Sequence, residues 1–261
     1  MPWEGGVDVK PTFLTYEKPL LTAMILCSTP QECLDKIQAS LAEGADAIGI
    51  QLERLKREYR TRETLAEIFA ACGGKPIYVT SYRYGESAGL DDDACAALLL
   101  LALDCGATLC DVPGDMFDPG CPLQLSFRAD ALEKQKTLIR EIHLRGGESL
   151  MSCHTQTDTT AEENRMIAKA QQERGADVIK IVNETQSAEA IPKYVQAIQQ
   201  ILKETDRKLL FLVSGAGRLL REIGPNLGVC MYLCVHDYGP FDTREQPLLK
   251  DVKAIRDHIR F

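Results

Sequence analysis

No stretch of the chain is apolar for long enough to cross a bilayer. The longest runs, 20–26 and 94–103, reach about half of the roughly 20 residues that a span needs. The amino end, Met1-Pro2-Trp3-Glu4-Gly5-Gly6, has no basic flank leading into an apolar core, so it does not read as a secretory signal. No block of like charge stands out, and the formal charge of −8 leaves nucleic-acid binding without general electrostatic support. No Gly-x-Gly-x-x-Gly opens a helix after a strand, so the dinucleotide-binding signature is missing. Ten cysteines are present, yet no pair has Cys-x-x-Cys spacing. Most (Cys27, Cys72, Cys95, Cys105, Cys110, Cys230, Cys234) fall in predicted strands or helices and are expected to be small buried hydrophobes rather than disulfide or metal partners. Cys121, in a Gly/Pro-rich loop, is the one expected to be exposed. On these absences the chain is expected to be cytoplasmic, with neither membrane nor nucleic acid as a partner.

What is present is a regular alternation. Apolar runs predict strands over 21–27, 47–52, 76–82, 108–112, 148–153, 178–182, 209–213 and 229–235. Amphipathic stretches between them predict helices over 30–43, 62–71, 91–105, 128–145, 160–174, 187–204, 218–224 and 248–259. Helices close on Glu43-Gly44, Cys105-Gly106, Arg145-Gly146 and Arg174-Gly175, where glycine supplies the left-handed residue, and open on Ser28-Thr29-Pro30 and Asp158-Thr159-Thr160. Eight strands alternating with eight helices in 261 residues predict the α/β class and a single (β/α)8 TIM barrel spanning 1–261, with 1–19 as an N-terminal extension. The irregular stretch 113–127 follows the fourth strand and is expected to wall or cover the face where barrel active sites lie.

Lys180 sits in Asp177-Val178-Ile179-Lys180-Ile181-Val182, an apolar strand in which an unpaired ammonium is costly. Desolvation pushes such a lysine toward the neutral, nucleophilic amine. His154 ends the preceding strand, and strands lie roughly 4.8 Å apart, so the two side chains are expected to stand close together. A neutral amine attacks a ketone to form a carbinolamine and then an iminium. A histidine near its natural pKa would shuttle the proton that the iminium acidifies. Arg83, ending the third strand, suits a carboxylate or a hydroxyl pair, and Glu86, three residues on, is placed to orient the histidine. Gly215-Ala216-Gly217 opens a short helix carrying Arg218 and Arg221, both candidates for an anion. Gln246 lies in a Gly/Pro-containing loop with the length of a lid.

Taken together these segments resemble the type I 3-dehydroquinate dehydratases, Schiff-base enzymes of the shikimate pathway and so of aromatic amino acid biosynthesis. The resemblance runs from about residue 20 to 259. Its most specific parts are Ser152-Cys153-His154-Thr155 and Gly175-Ala176-Asp177-Val178-Ile179-Lys180-Ile181, followed by Gly44-Ala45-Asp46, Tyr82-Arg83 and the Gly217–Gly224 segment. It implies that Lys180 forms the iminium, that His154 is the acid/base oriented by Glu86, and that Arg221 rather than Arg218 holds the substrate carboxylate. Arg83 would help fix hydroxyls and Gln246 would close the lid. It also implies a small keto acid substrate, no metal or organic cofactor, and a homodimer. The family's second-strand Glu-x-Arg reads Gly49-Ile50-Gln51 here, leaving Gln51 as the substrate-binding position. The lid serine becomes Asp242, and no glutamate follows Asp111 on the fourth strand. Lost hydroxyl-binding charges point to a changed substrate. Retro-aldol cleavage or dehydration of another keto sugar acid, and a catalytically silent binding or regulatory module, are the alternatives to dehydration of 3-dehydroquinate.

Overall fold

The computed structural model describes residues 11–259. Among these, eight parallel strands alternate with helices: β1 (Leu20–Ile25), α1 (Pro30–Glu43), β2 (Ala47–Gln51), α2 (Arg62–Ala70), β3 (Ile77–Thr80), α3 (Asp92–Asp104), β4 (Leu109–Pro113), α4 (Ala129–Leu144), β5 (Glu148–His154), α5 (Ala161–Glu173), β6 (Val178–Thr185), α6 (Ile191–Glu204), β7 (Lys208–Gly215), α7 (Leu220–Ile223), β8 (Met231–Cys234) and α8 (Leu249–His258). The strands pair in chain order from β1 to β7, and β8 returns to pair with β1. Between β7 and β8 the Cys230 N–H donates to the Leu209 carbonyl at 2.8 Å. The sheet is a nearly closed (β/α)8 TIM barrel.

Local chemistry explains the element ends. Thr29 and Glu32 form a capping box at the start of α1, with Pro30 in its first turn, and Gly44 ends the helix at φ +101°, a conformation that suits a residue without Cβ. Thr160 and Glu163 repeat the box on α5. The helices bury one stripe against the barrel wall, as with Tyr194, Ala197, Ile198 and Ile201 on α6. Each fully buried isoleucine there contributes roughly 1.5–3 kcal/mol. Most strand boundaries shift by one or two residues from the sequence pattern, and the end of β6 shifts by three. Strand β6 continues through Asn183-Glu184-Thr185, which polarity alone assigns to a loop. Buried Asn183 accepts hydrogen bonds from the Thr155 and Thr159 hydroxyls (3.0 and 2.6 Å) and donates to Asn164 (2.9 Å), so the polar strand end is satisfied inside the fold.

Of the segment expected as an N-terminal extension, residues 1–10 lie outside the described residues. The rest packs against the barrel: Phe13 is buried and its N–H donates to Glu148 at the start of β5 (2.9 Å). The cysteine expectation needs two corrections. Cys27 and Cys33 are disulfide-bonded, because the turn into α1 brings their Cα atoms to 5.6 Å. Spacing alone does not reveal that approach. Cys105 is partly exposed, as Cys121 is. Among the described residues no helix is long and apolar enough to cross a membrane.

Candidate active site

Parallel pairing puts Ser152 beside Lys180, and His154 beside Val182 one step nearer the strand ends. All four side chains therefore face the barrel axis. Lys180 is buried. Its Nζ donates to the Asp111 carboxylate at 3.0 Å and to the Tyr78 and Tyr82 hydroxyls at 2.9 Å each. Both phenols in turn donate to Asp111 Oδ2, Tyr82 at 2.6 Å, and Ser152 donates to Oδ1 at 2.5 Å. Burial alone raises the Asp111 carboxyl. The adjacent Lys180 ammonium, followed by the Ser152, Tyr78 and Tyr82 hydroxyls, outweighs that and brings it below the usual carboxylate range. Burial, reinforced by the Asp111 charge, keeps both phenols protonated far above neutrality. The amine thus stands in an ion pair with Asp111, because the fourth strand supplies a carboxylate at its tip.

A cavity of about 120 Å³ opens over this cluster. His154 lines it with its edge toward the Tyr82 ring (centroids 5.3 Å apart). Its Nε2 is buried and has no hydrogen-bond partner among the described residues. Burial, then the Lys180 charge, pushes the imidazole down to about 3. This corrects the reading of a histidine near its natural value. Gln246 also lines the cavity with a buried, unpartnered Oε1. Two orphaned polar atoms on one cavity wall mark the places where a ligand would make its hydrogen bonds. Arg221 reaches the cavity from α7. Its guanidinium is held by the Val213 carbonyl (2.9 Å) and the Ser214 hydroxyl (2.8 Å), and burial lowers it to about 10, which leaves it charged at neutral pH. Arg218 is exposed. Gln51 completes the rim, accepting from Tyr84 at 3.4 Å.

Three residues singled out from the sequence are not brought to this cavity. Arg83 follows the inward Tyr82 by one position and points outward, where it pairs with Asp92 (2.6 Å) and Asp115. Glu86 is exposed. A turn at Gly85 (φ +59°) hands its N–H to the Glu53 carbonyl (2.8 Å), and its side chain does not orient His154. The neighbour that does engage His154 is Gln124, whose side-chain carbonyl accepts the His154 backbone N–H at 2.6 Å. Gln124 belongs to the irregular stretch after β4, which Arg174 clamps through the Gly114 carbonyl (3.2 Å) and the Ser126 carbonyl. Asp242 has a fully buried side chain bound to Lys36 (3.1 Å) and the Gly239 N–H (2.8 Å). It shapes the loop that presents Thr243 and Gln246 to the cavity.

Sequence reasoning missed Tyr78, Tyr82, Tyr84 and the role of Asp111. A signal existed for three of them. Asp111 in Leu109-Cys110-Asp111-Val112 is a charge in an apolar strand, the same mark that flagged Lys180, and opposite charges on interior strands are candidates to pair. Tyr78 and Tyr82 share the inward parity of β3. Glu53 sits fully buried behind them and accepts from Thr80 (2.9 Å) and Tyr84 (3.1 Å). Burial raises its carboxyl, against the pull of those hydrogen bonds. At Gly49, where the resemblance expects a glutamate, a Cβ would fall 2.2 Å from Met24 Sδ. Met24 fills that space and lines the cavity.

A family model described as Type I 3-dehydroquinase matches residues 21–254. No curated protein matches the chain. Among solved structures it is similar to 3-dehydroquinate dehydratase from Geobacillus kaustophilus HTA426, with a TM-score of 0.78 at 17% identity over 92% of this chain and 91% of that one. It is equally similar to the type I enzyme from Clostridium difficile with covalently modified comenic acid, with a TM-score of 0.78 at 17% identity over 94% and 93%. The Enterococcus faecalis enzyme follows, with a TM-score of 0.68 at 18% identity over 85% and 90%. At these identities the structural likeness is one of fold.

Proposed function

The chain belongs to the type I 3-dehydroquinase family, a family of hydro-lyases, and from that premise we propose that it removes water from 3-dehydroquinate or a related small keto acid through an imine on Lys180. The observation that carries this reading is the pairing, in one cavity, of a buried lysine Nζ with a buried, unpartnered histidine Nε2. Arg221, charged and held by its backbone clamp, receives the substrate carboxylate as a charge-assisted pair. That places the keto carbon against Lys180. The resulting iminium draws electrons from the adjacent carbon, and His154 takes the proton released there and returns it to the departing hydroxyl. The Arg221 charge is one of the groups that depress His154. A bound carboxylate neutralises it and makes the imidazole a better proton acceptor when substrate is present.

The rim is uncharged where the resemblance expects a glutamate and an arginine. Gln51, Thr80, Thr243 and Gln246 offer neutral hydrogen bonds, which favours a keto acid other than 3-dehydroquinate among the related substrates. Cleavage of a keto sugar acid by a retro-aldol step would use the same iminium. The test is reductive trapping. Incubation with 3-dehydroquinate or a panel of keto acids and cyanoborohydride should add the mass of the reduced adduct to wild type, and Lys180→Ala should show none. His154→Ala should still trap the adduct while turning over roughly 10²–10⁴-fold more slowly. An unchanged wild-type mass across the panel would overturn the reading. The appearance of enone absorbance separates dehydration from carbon–carbon cleavage.

A further inference from the structure

An ammonium does not attack a carbonyl, and Lys180 stands in an ion pair with Asp111. Its three protons point at Tyr78 Oη, Tyr82 Oη and Asp111 Oδ2, at 2.9, 2.9 and 3.0 Å. Asp111 is a poor destination for a proton, because its two oxygens already accept from Ser152, Tyr78, Tyr82 and the ammonium itself. His154 is not in hydrogen-bond contact with the amine: its Nε2 has no partner among the described residues. The two phenols remain. Tyr78 lies on β3 level with Gly49, deep in the barrel and wholly buried. Tyr82 lies two residues beyond the end of β3, on the mouth side, and keeps a small exposed surface into the cavity.

We propose, on the imine reading above, that Tyr82 is a catalytic residue that relays the Lys180 protons to the carbonyl oxygen of the substrate, with Asp111 as a fixed counter-ion and Tyr78 as the residue that positions it. The balance closes without any external acid or base. As the nitrogen attacks the carbonyl carbon, one N–H proton passes to Tyr82 Oη while the phenolic proton passes to the carbonyl oxygen, giving the carbinolamine. A second transfer by the same route protonates the carbinolamine hydroxyl, which leaves as water while the C=N bond forms. Ammonium plus ketone becomes iminium plus water. The nitrogen keeps one proton and its positive charge throughout, so the ion pair with Asp111 is never broken. Tyr82 donates and accepts in each transfer, and no free phenolate accumulates. This is the sequence its burial beside Asp111 demands.

The experiment measures the rate of reductive trapping of 3-dehydroquinate, or of the keto acid of the panel that traps best, with cyanoborohydride in excess so that imine formation is limiting, in wild type and Tyr82→Phe. The expected result is a roughly 10²–10³-fold slower rate constant at saturation. The concentration giving half the maximal rate should stay within about twofold, and the solvent deuterium isotope effect seen in wild type should be reduced. A variant that traps at the wild-type rate, or that loses rate only through a higher half-saturating concentration, overturns the relay. Wild type that forms no adduct with any keto acid of the panel overturns the imine reading itself, a result distinguishable from the other two. Should Tyr82→Phe fail to fold, 3,5-difluorotyrosine at position 82 keeps the ring and hydroxyl but ionises at lower pH. The rate constant of trapping at saturation should then differ from wild type while the half-saturating concentration stays within about twofold, and an unchanged rate constant overturns the proposal.

Discussion

Replacing Asp111 by asparagine removes the counter-ion of a buried ammonium while keeping the size and an acceptor oxygen of the side chain. At the observed 3.0 Å, the gross attraction between the charges is about 5–6 kcal/mol at an effective dielectric of about 20. Stripping one partner from a buried pair costs about 3–5 kcal/mol, because the other charge is left uncompensated. Urea denaturation of both proteins at neutral pH reads that deficit directly. No deficit at neutral pH would refute the claim that the Asp111–Lys180 pair is a compensated pair of buried charges.

Acid sensitivity should trace to His154. Its imidazole is lowered to about 3 in the fold against about 6.5 unfolded. The unfolded state thus binds the extra proton between those values, and stability is lost as the pH falls below about 6.5. By pH 4 that loss reaches at most about 3 kcal/mol, and His154→Gln should flatten the acid limb of a stability profile by that amount; an unchanged limb contradicts it. Gly49→Ala drives a Cβ into Met24 and is expected to cost about 1–3 kcal/mol. Adding Met24→Ala should relieve the Gly49→Ala clash, visible as coupling in a double-mutant cycle, whereas additive effects would show that the two do not compete for space. Arg221→Gln should raise the keto acid concentration that half-saturates trapping by roughly 10–100-fold, the equivalent of about 1.5–3 kcal/mol for a charge-assisted hydrogen bond. The maximal trapping rate should change far less, and a loss confined to that rate would argue against a carboxylate on Arg221.

The order of elements was legible in the chain because each is written in a local code. Pro30 and Gly44 bracket α1, Thr160 opens α5, and the apolar runs at 47–51 and 178–182 have the composition of strands buried on both faces. Lys180 and His154 were legible for a related reason: a polar group in such a run has to be matched inside the barrel. Strand parity and order then set them side by side. Arg83 and Glu86 misled because a loop that leaves a strand end turns side chains away within one residue. Tyr82 faces the cavity while Arg83 faces Asp92 and Asp115, and an offset of one position is below the resolution of a motif match. The Cys27–Cys33 bond escaped notice for the same kind of reason, since its five intervening residues fold back only through the α1 cap.

The amino-acid sequence by itself determined the alternation of strands and helices, the barrel that follows from it, and the presence of a lysine and a histidine at the tips of adjacent strands. These depend on composition and spacing along the chain, and burial of apolar faces acts on them locally. Only the tertiary structure decided the company of that lysine. Asp111, Tyr78 and Tyr82 come from strands 69, 102 and 98 residues away in the chain, and the strength of an ion pair depends on distances that closure of the barrel sets. The same closure decided that Met24 occupies the space above Gly49 and that His154 stays neutral, because desolvation is a property of the assembled interior.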